Sequence, residues 1–99
     1  MIIKGTIFDE NGVTYSIDNV DVFVGNITDE LLAKTYIRTI FHHEAILKLE
    51  DLVKEGKVEA VATAYDAELT MNAIVSMRNE IVERFDEEYH DYLINKIKL

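Results

Sequence analysis

The apolar residues of this chain change their period once. Up to residue 25 they sit in short runs rich in β-branched and aromatic types, bounded by turn clusters. From Ile27 onward they recur every three to four residues through two long stretches that part near Gly56, and no proline interrupts either stretch. A period of two followed by a period of 3.6 calls for a small antiparallel sheet first and helices packed on it afterwards, an α+β fold. All 99 residues read as one domain, since this length supports a single core.

Residues 2–8 and 13–17 flank Asp9-Glu10-Asn11-Gly12, a hairpin signal. A two-residue Asn-Gly turn would pair Phe8 with Tyr15 and mix polar with apolar on each face. A three-residue loop, Glu10-Asn11-Gly12, instead pairs Asp9 with Val13, Ile7 with Tyr15 and Gly5 with Ile17. This register collects the apolar residues and is the one expected, with Gly12 in the left-handed position. A second turn at Asp18-Asn19 would pair Ile17 with Val20 and Tyr15 with Val22. Residues 1–25 then form a three-stranded antiparallel meander. Its core face is Ile3, Ile7, Val13, Tyr15, Ile17, Val20, Val22 and Val24, and its other face carries Ile2, Phe8 and Phe23 among polar residues.

Thr28, followed by Asp29 and Glu30, is an N-cap signal, with Ile27 placed to staple onto Leu32. The positions Leu32, Tyr36, Ile37, Ile40, Phe41, Leu47, Leu49, Leu52 and Val53 predict a helix over 27–55, ended by Gly56. Their phase drifts near His42-His43-Glu44, which predicts either one helix with a bend there or two helices joined there. Residues 58–98 read as a helical region. Its first part, 57–65, fits a helix better than a strand, and its main helix begins at about residue 66 with Ile74, Ile81, Phe85, Tyr89 and Ile97 along one stripe. A helix of thirty residues is about 45 Å long, against a radius of gyration of ~13 Å for a compact domain of this size. Two such helices outrun the sheet, so the expectation is a homo-oligomer built on them, with Ile81, Phe85, Tyr89 and Tyr92 at the interface.

Composition narrows the chemistry. No cysteine is present, which removes disulfides and thiolate metal sites. No apolar run approaches the ~18 residues that span a bilayer, and the first residues lack a signal-peptide pattern, so a cytoplasmic protein away from membranes is expected. The Ser16 and Ser76 contexts are ordinary, and no phosphate-binding glycine loop occurs. Glu87 and His90 have the spacing of a di-iron Glu-x-x-His motif, but it occurs once, and the adjacent His42 and His43 diverge around a helix. No metal or cofactor and no enzymatic activity is therefore expected.

The distinctive feature is charge. Lys plus Arg number 10 against 19 Asp plus Glu, a net charge of -9, which argues against binding nucleic-acid phosphates directly. Between residues 80 and 91 six acids face one base, Arg84. On a single helix Glu80, Glu83, Glu87 and Asp91 would fall along one side with Glu88 beside them. Such a row serves solubility, or it docks a basic protein by complementary charge. A different reading places Arg38, Arg78 and Arg84, with Asn72, Asn79 and tyrosines, around an anionic nucleotide or signalling molecule between subunits.

In size, acidity and residue usage the chain resembles the small acidic proteins of bacteriophages and mobile elements. The resemblance covers no alignable residues. It implies a non-enzymatic protein that binds and inhibits or modulates a host protein, such as a defence or nucleic-acid-binding protein, some of these proteins acting as DNA mimics. The residues expected to carry the docking are Glu80, Glu83, Glu87, Glu88 and Asp91.

Overall fold

The computed structural model describes residues 3–9, 11, 13–59 and 63–98. Its elements, in chain order, are β1 (Gly5–Phe8), β2 (Thr14–Ile17), α1 (Val20–Asn26), α2 (Asp29–Lys54), α3 (Thr63–Arg84) and α4 (Glu87–Lys98). The α+β class holds, and the fold is a two-stranded antiparallel sheet followed by helices.

The hairpin has the expected register, with Gly5 opposite Ile17 and Ile7 opposite Tyr15. Asp9 closes it: its carboxylate accepts the N–H groups of Asn11 and Val13 at 2.9 and 2.8 Å. Gly12 and Glu10 lie outside the described residues. β1 is the strand that the helices cover. A Cβ on Gly5 would lie 2.6 Å from Val20 Cγ2 and 2.9 Å from the Leu69 carbonyl, so only glycine lets the strand approach α3 this closely.

The expected third strand is a helix. Val20, Phe23, Val24 and Ile27 stand at i, i+3, i+4 and i+7, a helical face inside a β-rich composition. The Asn19 side chain accepts from the Val22 N–H at 3.2 Å and caps this short helix. Val20 and Val24 are fully buried, while Val22, which a strand would bury with them, is 59% exposed. With no third strand among the described residues to complete the sheet, Val13 and Tyr15 are also exposed rather than core.

α2 runs as one unbroken helix from Asp29 to Lys54, so neither a break nor a second helix occurs near His42-His43-Glu44. Its buried stripe is Leu32, Thr35, Tyr36, Thr39, His43 and Ile46. Threonines and a histidine carry the stripe where the purely apolar pattern drifted. Thr39 satisfies its hydroxyl by donating to the Thr35 carbonyl at 2.7 Å. Thr28 caps the start, accepting from the Leu31 N–H at 3.2 Å. At the end, the Gly56 N–H donates to Val53 and the Lys57 N–H to Leu52, both at 3.0 Å, with Gly56 at φ 75°. This is the Schellman arrangement, and it needs the left-handed freedom of glycine.

Lys57, Val58 and Glu59 are not helical, so the expected helix over 57–65 is not formed there; residues 60–62 lie outside the described residues, and α3 begins at Thr63. The last long helix is broken at Phe85-Asp86. Asp86 accepts the Tyr89 N–H at 2.7 Å and starts α4 as its N-cap. α4 folds back toward α2, so the expected single stripe from Ile74 to Ile97 does not exist. The core gathers Ile7, Val20, Val24, Leu32, Tyr36, Ala73, Met77, Ile81 and Leu93, where sheet and helices meet.

Candidate interaction surface

α4 divides its circumference into three parts. His90 and Leu93 face the core, with Ile94 and Ile97 half-buried beside them. Tyr89, Tyr92 and Lys96 look toward a groove shared with α2. Glu87, Glu88 and Asp91 occupy the remaining, exposed arc. The division follows from helical spacing: residues 89, 92, 93 and 96 share one side, and 87, 88 and 91 another.

The aromatic side is continuous. Phe85 and Tyr89 stack at 4.5 Å between ring centroids, and Tyr89 meets Tyr92 at 6.3 Å. Phe85 and Tyr92 remain 41% and 60% exposed. Together with Ala33, Lys34 and Ile37 of α2 they bound a groove of about 580 Å³. Ile81 belongs elsewhere. It is 1% exposed, buried in the core of its own chain, and therefore offers no area to an interface.

The five expected docking acids fall into two groups, because Phe85-Asp86 separates α3 from α4. Glu80 is half-buried and pairs with Arg84 Nε at 3.3 Å, and Glu83 is exposed on α3. Glu87 and Glu88 lie in the first turn of α4, where the helix dipole favours carboxylates. Asp91 is exposed, with Oδ1 3.4 Å from His90 Nδ1.

Arg84 is an internal tie. It donates to the Val24 carbonyl at 3.0 Å, to the Ile27 carbonyl at 2.8 Å and to Asp29 at 3.0 Å, fastening the α1–α2 junction to the end of α3. Arg38 donates to the Asp9 carbonyl at 2.8 Å, and Arg78 is exposed. None of these arginines, and neither Asn72 nor Asn79, lines the α2–α4 groove.

Beneath α4, the Tyr36 hydroxyl and His90 Nε2 share a buried hydrogen bond of 2.7 Å. Asp91 beside Nδ1 favours the N–H on that nitrogen, leaving Nε2 to accept from the tyrosine. Burial holds Tyr36 above its ordinary pKa, while the nearby Arg78 charge pulls the other way. In connectivity this resembles a proton relay, but Tyr36 is 2% exposed and the pair instead fastens α4 to α2. The histidines and Glu87, whose spacing resembles a metal motif, are similarly dispersed. His42 stacks on Phe8 at 4.9 Å, His43 is buried against the core, and Glu87 is exposed while His90 is bonded to Tyr36. Among the described residues no three His, Asp or Glu side chains gather as a metal site, and none of their helices is long and apolar enough to cross a membrane.

A feature that the sequence reading missed lies at the hairpin. Ile7, Tyr15, Ile17, Phe23 and Leu31 line an open apolar cavity of about 230 Å³, with Asp9 and Thr35 at its margin. The spacing of Phe23 within α1 was the signal that could have found it. Set against protein-family models, curated proteins and solved structures, the chain has no match in any of the three.

Proposed function

We propose that this chain is a non-enzymatic binding protein that docks a basic protein partner on α4. One juxtaposition supports the reading: exposed Phe85 and Tyr92, with half-buried Tyr89 between them, border a groove while Glu87, Glu88 and Asp91 occupy the adjoining face of α4. Aromatic rings supply contact area with little loss of rotamer freedom, and the carboxylates steer a basic surface toward them. A second copy is the poorer occupant, because a two-fold contact through this face sets the same acids against each other. A fitting partner is a host protein met in the cytoplasm, for instance a defence or nucleic-acid-binding protein. Covering its phosphate-binding surface would inhibit it.

Capture from a host lysate, run with three baits, tests the proposal. The expected prey is basic and held by the unmodified chain at low salt. Its affinity falls more than tenfold when Glu87, Glu88 and Asp91 are all changed to Lys, and also falls with Tyr92→Ala. Prey retained equally by all three baits would refute the docking face. So would sedimentation showing a dimer of this chain that Tyr92→Ala disperses.

A further inference from the structure

The apolar cavity at the hairpin shares no lining residue with the α4 groove. Ile7 of β1, Tyr15 and Ile17 of β2, Phe23 of α1 and Leu31 of α2 wall it. The pairing of Ile7 with Tyr15 puts these two and Ile17 on one face of the hairpin, and residues of the two helices supply the rest of the wall. Four elements thus meet without filling the space between them. Ile17, Phe23 and Leu31 stay half-buried, and Tyr15 is exposed. Size restricts what can enter. The volume of about 230 Å³ exceeds the ~150 Å³ that admits benzene in a protein interior and falls below the ~300 Å³ at which pockets for larger ligands begin. One or two rings fit, whereas a nucleotide or a helix does not. The charged groups at the margin are engaged within the chain. The Asp9 carboxylate accepts the Asn11 and Val13 N–H groups, and the Asp9 carbonyl accepts from Arg38, which sets a cation beside that acid. The wall therefore offers a guest no unmatched charge, and water inside it finds few polar partners.

We infer that this cavity is a binding site for a small, uncharged aromatic molecule of one or two rings. The guest displaces water from Ile7, Ile17 and Leu31 and lies between the rings of Phe23 and Tyr15, where aromatic contact adds to apolar burial. A charged ligand or a nitrogen-rich nucleobase would give up its hydration to walls that return few hydrogen bonds. The site is separate from α4 and does not rest on the docking proposed there.

The test uses the full chain with indole as the probe and purine, a polar bicyclic ring of similar size, as its counterpart. Methyl NMR shifts are followed at Ile7, Ile17 and Leu31, with Leu93 at the α4 groove and Leu52 near the end of α2 as references. Indole is expected to shift the first three saturably, to leave the references in place and to raise the melting temperature by mass action. Purine is expected to do none of these. Ile17→Phe adds a ring at the wall and suits a strand; it should weaken indole binding at least tenfold. The comparison of indole with purine on the unmodified chain stands even if that variant folds poorly. Shifts that do not saturate, equal shifts with purine, full indole affinity in a folded Ile17→Phe chain, or shifts centred on Leu93 would each overturn the inference, the last by placing the ring in the α4 groove.

Discussion

Tyr36 and His90 bury a bond between two helices, and either partner alone would be left with an unmet polar atom. Tyr36→Phe keeps the ring and deprives His90 Nε2 of its partner, which should cost about 1–3 kcal/mol in a denaturant titration. The pH dependence has a definite sign. Burial favours the protonated tyrosine in the folded state and raises its pKa above the ordinary 10.0. The unfolded chain therefore releases the proton first, so this contribution to stability is intact below about pH 10 and is lost as the pH climbs beyond it. The difference in stability between the unmodified chain and Tyr36→Phe should shrink above that pH. A difference that stays constant to pH 11 would show that Tyr36 does not titrate this way. The composition displays both residues but does not pair them, because they lie 54 positions apart.

At the scale of elements, local signals were legible where neighbours in sequence decide the structure. The cap at Thr28, the stop at Gly56 and the hairpin register all depend on contacts within a few residues. Two further local signals, weaker than the composition around them, are decisive in the fold. Asn19 capping Val20–Asn26 overrode the β preference of Val20, Val22, Phe23 and Val24, whose spacing also fits a helix buried on one side. Asp86 divided what reads as one long helix. Asp86→Ala should lower stability by about 0.5–2 kcal/mol and speed amide exchange in the first turn of α4 more than in α2. Equal effects on both helices would mean that Asp86 does not act as a cap. The drift in α2 had another cause: Thr35, Thr39 and His43 continue the buried stripe, and a pattern counting apolar residues alone passes over them.

For the whole molecule, breaking the last helix changes the argument from length. α4 returns along α2, and the chain packs to a radius of gyration of 14.0 Å, near the ~13 Å of a compact domain of this size. One long helix left uncovered no longer demands a second copy. Arg84 holds this arrangement by joining α1, the start of α2 and α3 through one guanidinium. Arg84→Met keeps much of the stem and leaves the Val24 and Ile27 carbonyls unpaired, with an expected loss of about 1–3 kcal/mol. Arg84→Lys should recover little of it, since an ammonium cannot match the fork. Full recovery by lysine in a thermal melt would reduce the role of Arg84 to its charge.

What the sequence determined by itself is the class of fold, the hairpin register, the ends of α2 and the excess of acid late in the chain. Each follows from residue type and short spacing. Tertiary structure alone decided which acids are available and which are held. Glu80 is tied to Arg84, while Glu87, Glu88 and Asp91 remain exposed beside the tyrosines. It also withdrew Ile81 into the core and left an apolar cavity between the hairpin and the helices. The physical reason is the same in each case: exposure and pairing depend on elements brought together from distant parts of the chain, and no period within a single element records them.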